Sequence, residues 1–140
     1  MILFGFQNCG KTTFGRKLAN YLQMPFLDTD ELIAKKVGDY KKLFREDPKR
    51  FRQMEQEVVF ELPKDHVIAL GGGTILDEKN RNHLESLGPL IYLKVSKMTL
   101  QKRYDNPVYF EALYEERLPL YEAIKARTIN LEESFWQAIQ

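Results

Sequence analysis

The sequence has 140 residues, 44% of them hydrophobic, and sets 21 Lys and Arg against 20 Asp and Glu for a formal net charge of +1. That length suits one domain, and the apolar share is too high for a disordered segment. Near-neutral charge argues against a nucleic-acid partner, which needs a clearly basic face; the single cysteine rules out an internal disulfide, and no apolar run approaches the ~20 residues of a membrane span.

In chain order, the first element is the short apolar run Ile2–Phe4. It lacks the basic lead and apolar length of a secretion signal, so the cytosol is the expected compartment. A Gly-rich turn follows, then a helical pattern with Phe14, Leu18, Tyr21 and Leu22 on one stripe, stopping before Pro25. A second apolar run is predicted at 25–27. Asp47-Pro48 then opens a helix, with Asp47 as N-cap, Pro48 at its first position, and Phe51, Met54, Val58 and Leu62 facing the core. A third run at 67–70 precedes a helix predicted over 77–86, ended by Gly88-Pro89. After a fourth run at 90–95, segments 96–104 and 111–126 read as helical, the second interrupted by Pro119. A fifth run lies at 128–131, and Trp136 is expected to pack a terminal helix against the sheet. The runs are continuous rather than alternating, as strands covered on both faces should be, and they alternate with helices. The fold expected over 1–140 is therefore a single-domain, three-layer α/β sandwich around a parallel five-stranded sheet. His66 and His83 have no metal-ligand partners at the right spacing and read as surface residues.

Between the first run and the first helix, Gly5-Phe6-Gln7-Asn8-Cys9-Gly10-Lys11-Thr12 fits G-x-x-x-x-G-K-[ST]. Glycines let such a loop curl until its N–H groups point at phosphate oxygens, and the helix starting near Lys11 adds its positive dipole end. Lys11 is expected to stand exposed and reach the β- and γ-phosphates, with the Thr12 hydroxyl on Mg²⁺. The candidate nucleotide contacts are Gly5, Asn8, Cys9, Gly10, Lys11, Thr12 and Thr13, and ATP with Mg²⁺ is the implied pair. Cys9 reads as a small loop residue rather than a reactive thiol. Asp28 and Asp30 fall at the carboxyl end of the second strand, where ligands gather in open α/β sheets. Strand alternation would point both the same way, one toward a metal shell and one toward an acceptor hydroxyl; Asp30 could instead simply cap the next helix. Arg52 and Glu55, three apart on a helix, can pair and fix a guanidinium. Gly71, Gly72 and Gly73 directly follow the third run and allow close backbone approach to a ligand.

Taken in order, the phosphate loop, D-T-D at 28–30, F-R-Q-M-E at 51–55, G-G-G at 71–73 and E-R-L-P-L-Y at 116–121 resemble the shikimate kinases, over residues 1 to about 131. The resemblance implies a P-loop fold like that of nucleoside monophosphate kinases and ATP-dependent phosphorylation of shikimate, a step toward chorismate and the aromatic amino acids. It implies that Asp30 binds the acceptor hydroxyls as candidate base, beside Lys11 as the second catalytic group. Asp28 would support Mg²⁺ through water, and Arg52 and Arg117 would hold the shikimate carboxylate, with Glu55 orienting Arg52. Gly71 to Gly73 would offer backbone N–H groups to the acceptor. Acceptor-binding helices are expected over about 31–62 and a mobile lid over about 102–116. A monomer with only small-molecule partners is expected, with no nucleic acid and no membrane.

One stretch departs from the family pattern. Where the family has R-P-L-L, whose arginine touches the transferred phosphate, this chain has Asn106-Pro107-Val108-Tyr109, read here as a turn. Lys102 or Arg103 are the candidates to replace that charge, and Arg103 is also the candidate for the family's adenine-stacking arginine. Two other readings stay open. One is a related small-molecule kinase acting on gluconate or a nucleotide; the other is a nucleotide-binding module with impaired catalysis.

Overall fold

The computed structural model describes residues 1–139. Its strands are Ile2–Phe4 (β1), Phe26–Asp28 (β2), Val67–Ala69 (β3), Leu90–Lys94 (β4) and Arg127–Asn130 (β5). They form one sheet in the order β2-β3-β1-β4-β5, every neighbouring pair parallel. The opening apolar run is thus the middle strand, and Ile2, Leu3 and Phe4 are wholly buried. Successive residues of a strand face opposite ways, so burial of all three residues in β1 and in β3 means that both faces are covered. The α/β sandwich read from the sequence is the observed architecture, with strand ends within one or two residues of those predicted.

The helices are Lys11–Leu22 (α1), Thr29–Val37 (α2), Tyr40–Glu46 (α3), Pro48–Phe60 (α4), Glu78–Leu87 (α5), Lys97–Gln101 (α6), Pro107–Ala123 (α7) and Phe135–Ala138 (α8). Their starts follow local chemistry: Asp47, Asp77 and Ser96 each accept a backbone N–H in the first turn of α4, α5 and α6. One core cluster surrounds the sheet, and a smaller one, Ile33, Phe51 and Val58, joins α2 to α4. That second cluster holds the helices beside the carboxyl ends of β2 and β3.

Several expectations need correction. On α1, Gly15 and Ala19 join Phe14 and Leu18 in the core, while Tyr21 is exposed. The segment predicted over 96–104 is helical only to Gln101. The helix predicted over 111–126 begins instead at Pro107, because the Asn106 side chain caps it by accepting from the Tyr109 N–H. It also runs through Pro119 to Ala123. A proline removes the hydrogen bond to the carbonyl four residues back, here Glu115. Both residues are exposed, so water can satisfy that carbonyl. Trp136 does not pack on the sheet: it is exposed and meets Tyr21 edge-on, while Ala138 is the buried residue of α8. His83 is half-buried, edge-on to Phe60, with no partner on Nε2, and is not a plain surface histidine. Among the described residues no helix is long and apolar enough to cross a membrane.

Candidate active site

The phosphate loop joins the end of β1 to the start of α1. Gly5 leaves β1 at φ 155°, and a Cβ there would lie 2.7 Å from the Leu93 carbonyl oxygen, so only glycine fits between β1 and β4. Asn8 and Gly10 take left-handed backbone as well (φ 65° and 103°), which turns the loop back over the helix N-terminus. Cys9 is buried inside this curl, in keeping with a small packing residue.

Lys11 is not exposed. It is 7% accessible, and its Nζ donates to the carbonyls of Gly5 (2.7 Å) and Phe6 (2.8 Å). Its ammonium therefore lies folded into the cradle, already pointing to where phosphate oxygens would compete with those carbonyls. The Thr12 hydroxyl donates to Asp28 Oδ2 at 2.9 Å, bringing together the two groups assigned to the metal. Asp28, rather than Asp30, caps α2: its Oδ1 accepts from the N–H groups of Asp30 and Glu31. Asp30 itself sits in the first turn of that helix, so strand alternation does not set its direction.

What sets the direction of Asp30 is the glycine turn after β3. A Cβ added to Gly71 would lie 2.7 Å from Asp30 Oδ1; at Gly72, 2.8 Å from Arg117 Nη1; at Gly73, 2.6 Å from Arg52 Nη2. The three glycines thus let one carboxylate and two guanidiniums from α2, α7 and α4 close on a single turn. The expectation that all three offer N–H groups to an acceptor needs one correction, because the Gly71 N–H already donates to the buried Thr29 hydroxyl. Arg52 donates to Glu55 Oε1 at 2.8 Å, and buried Glu55 accepts on Oε2 from the Thr74 hydroxyl, also at 2.8 Å. Glu55 is thereby held from behind and holds Arg52 in turn.

Burial pushes the Asp30 carboxyl above the usual carboxylate range, and the Asp28 charge adds to this; the Lys11 ammonium and a hydrogen bond from Gln7 pull the other way. A carboxylate moved toward neutral pH suits a proton acceptor.

On the other side of the loop, Arg103 Nη1 donates to the Asn8 carbonyl at 3.0 Å, and Asn8 Nδ2 returns a bond to the Arg103 carbonyl at 3.3 Å. A cleft of about 440 Å³ opens there, lined by Cys9, Thr13, Lys17, Arg103, Leu131 and Phe135. It adjoins the phosphate loop and mixes apolar walls with a guanidinium, as a nucleotide base requires. Asn106 is exposed and engaged as the α7 cap.

The sequence reading passed over four residues that the structure brings into the site: Gln7, Thr29, Thr74 and Tyr121. The Tyr121 hydroxyl donates to the Gly72 carbonyl and lies 3.4 Å from that of Gly5. A signal existed, since all four lie within or directly beside motifs already singled out.

Comparison with known proteins agrees with this geometry. The family model described as shikimate kinase matches residues 7–139. A shikimate kinase of Thermobifida fusca is 37% identical, with 94% of this chain and 85% of the relative covered. One of Enterococcus faecalis is 35% identical, covering 89% and 80%. Among solved structures, shikimate kinase from Acinetobacter baumannii in complex with shikimate superposes with a TM-score of 0.83 at 31% identity, covering 99% of this chain and 86% of that one.

Proposed function

We propose, for a chain that belongs to the shikimate kinase family, that it transfers the γ-phosphoryl of ATP to a hydroxyl of shikimate. The observation behind this reading is the glycine turn closed on by Asp30, Arg117 and Arg52. Two guanidiniums and a carboxylate suit a small hydroxy acid: forked donors take its carboxylate, and Asp30 takes its hydroxyl. Glu55, fixed by Thr74, keeps the Arg52 fork aimed.

In the reaction Asp30 accepts the hydroxyl proton as that oxygen bonds to the γ-phosphorus, while the bond from phosphorus to the β,γ-bridging oxygen breaks and ADP leaves. Lys11 exchanges the two loop carbonyls for β- and γ-phosphate oxygens, and the loop N–H groups hold the β-phosphate. The adjacent Thr12 hydroxyl and Asp28 carboxylate are hard oxygen donors that fit Mg²⁺ and would hold it, Asp28 through a water. When bound there, Mg²⁺ would supply neutralising charge to the nucleotide phosphates. Arg103 reaches the loop from the base side and supplies part of the charge that Asn106 lacks.

A coupled ADP-release assay with shikimate, gluconate and nucleoside monophosphates tests this reading. Shikimate-dependent turnover is the expected result. Turnover with another acceptor alone would overturn the acceptor assignment, and nucleotide binding without turnover would favour a non-catalytic module.

A further inference from the structure

Tyr121 is wholly buried under the site, its ring packed on Phe4, Phe6 and Tyr92. Burial pushes its hydroxyl up to about 12, so it remains a donor at any working pH. It has one proton and two carbonyls in reach: it donates to Gly72 of the acceptor turn and stands 3.4 Å from Gly5 of the phosphate loop. The Arg117 guanidinium, one helical turn earlier on α7, partly offsets that upward shift. Meanwhile Lys11 Nζ donates to the same Gly5 carbonyl at 2.7 Å. The two half-sites therefore share one carbonyl, Gly5, between two donors.

That sharing has a consequence when phosphate arrives. Lys11 leaves Gly5 for phosphate oxygens, and the buried Gly5 carbonyl loses its short bond. A buried acceptor without a donor is unfavourable, and Tyr121 is the hydroxyl within reach. Turning to Gly5 releases Gly72, the residue against which Arg117 Nη1 rests. We propose that the Tyr121 hydroxyl is handed between the Gly72 and Gly5 carbonyls as Lys11 moves, making Tyr121 a positioning residue that couples nucleotide affinity to acceptor affinity. The coupling half of this inference rests on the acceptor reading above; the nucleotide half does not.

The test is calorimetric titration of wild type, Tyr121→Phe and Tyr92→Phe with magnesium-ADP and with shikimate, each alone and with the other saturating. Phe keeps the ring and removes only the hydroxyl, and melting curves check that each variant is folded. Tyr92, a buried ring of the same aromatic cluster, is the control. In wild type, saturating magnesium-ADP should change shikimate affinity by at least about threefold. Tyr121→Phe should bind magnesium-ADP roughly fivefold or more weakly, since Gly5 then has no donor in the bound state. Its shikimate affinity should no longer respond to nucleotide, and Tyr92→Phe should behave as wild type. Unchanged magnesium-ADP affinity in Tyr121→Phe overturns the proposal, as does an equal loss in Tyr92→Phe, which would mark ring packing as the cause. If wild type does not bind shikimate at all, the acceptor reading fails, and the magnesium-ADP arm still decides the role of the hydroxyl.

Discussion

Adding one methyl at Gly73 separates acceptor binding from folding. Gly73 has φ −101° and ψ −5°, a conformation open to alanine, so Gly73→Ala carries no backbone strain. Its Cβ would lie 2.6 and 2.8 Å from the two terminal nitrogens of Arg52, where ordinary contact begins at 3.4 Å. The guanidinium must withdraw, and as the end of a flexible side chain it can. On the stability side, the Arg52–Glu55 pair loosens, and because the Glu55 carboxylate is buried this costs about 1–3 kcal/mol. Alanine returns about 0.4–1 kcal/mol by restricting the unfolded chain. The net is a loss of at most about 2.5 kcal/mol, so the protein should stay folded with a modestly lower melting temperature. Binding is another matter, because a misplacement of ~1 Å in a positioning group can cost on the order of 100-fold. The shikimate KM should rise roughly 10- to 100-fold while the ATP KM stays put, as a coupled ADP-release assay would read. A folded Gly73→Ala protein with the wild-type shikimate KM would refute the claim that this turn is built around Arg52 and its ligand.

Lys11→Ala should cut kcat by more than about 100-fold, and, because its ammonium holds two loop carbonyls, it should also lower stability by about 1–3 kcal/mol; thermal melting checks the second effect, and an unchanged curve would mean the lysine does not shape the resting loop. For Asp30, the native pKa lies above the unfolded value, so the native state holds the proton more tightly, and the group's contribution to stability falls as pH rises through the native pKa. At neutral pH its charge is a net burden, so Asp30→Asn should melt higher than wild type while losing at least roughly 100-fold in kcat. Wild-type kcat/KM should fall on the acid side with an apparent pKa above the ordinary aspartate value, measured as a pH–rate profile. Arg103→Ala should raise the ATP KM and lower turnover by more than about tenfold, while Asn106→Arg should lower stability by about 1 kcal/mol through the lost helix cap; an Arg103→Ala enzyme with wild-type kinetics would remove that residue from the site.

The phosphate loop and sheet were readable in advance because each is dictated by a local pattern. Backbone that must curl around phosphate needs glycine at set spacings, and strands covered on both faces read as unbroken apolar runs. The resting place of Lys11 was not readable, since its partners are carbonyls, which every residue has. Pro119 misled because a proline breaks a helix only where the lost hydrogen bond matters; here it lies on an exposed face. Trp136 misled through its size, although it is Ala138 that is buried and Phe135 that packs against Phe14 of the core. The glycine triplet was correctly marked as a close-approach site, but its visitors come from helices 21 to 45 residues away in sequence, and one-dimensional spacing carries no such information.

The start of α7 bears most directly on how fast such a site can turn over. In the family pattern the residue at position 106 is an arginine, which would bring a cation to the transferred phosphoryl from the rim of the site. The asparagine instead accepts the Tyr109 N–H and nucleates a helix that continues, without a break, to Arg117 and Tyr121. At 1.5 Å per residue this helix is about 25 Å long, and it carries the loop-facing rim and the acceptor clamp on one element. Closing the rim over nucleotide therefore means moving Arg117 too, unless the helix bends where Pro119 has already removed a hydrogen bond. On the proposed acceptor reading, Arg117 cannot make up the missing charge, because its fork would hold the acceptor carboxylate. Beside the Mg²⁺ that Thr12 and Asp28 would hold, that leaves Lys11 and Arg103, both in contact with the loop backbone, to meet the charge that develops on the phosphoryl oxygens. Once Lys11 has exchanged the loop carbonyls for phosphate oxygens, such a pair has an advantage over an arginine that must swing in, because groups in place before the chemical step need no reorganisation as charge develops. Its weakness is reach: Arg103 rests on Asn8, on the base side of the loop, and turnover depends on how much of its charge is felt at the γ-phosphorus.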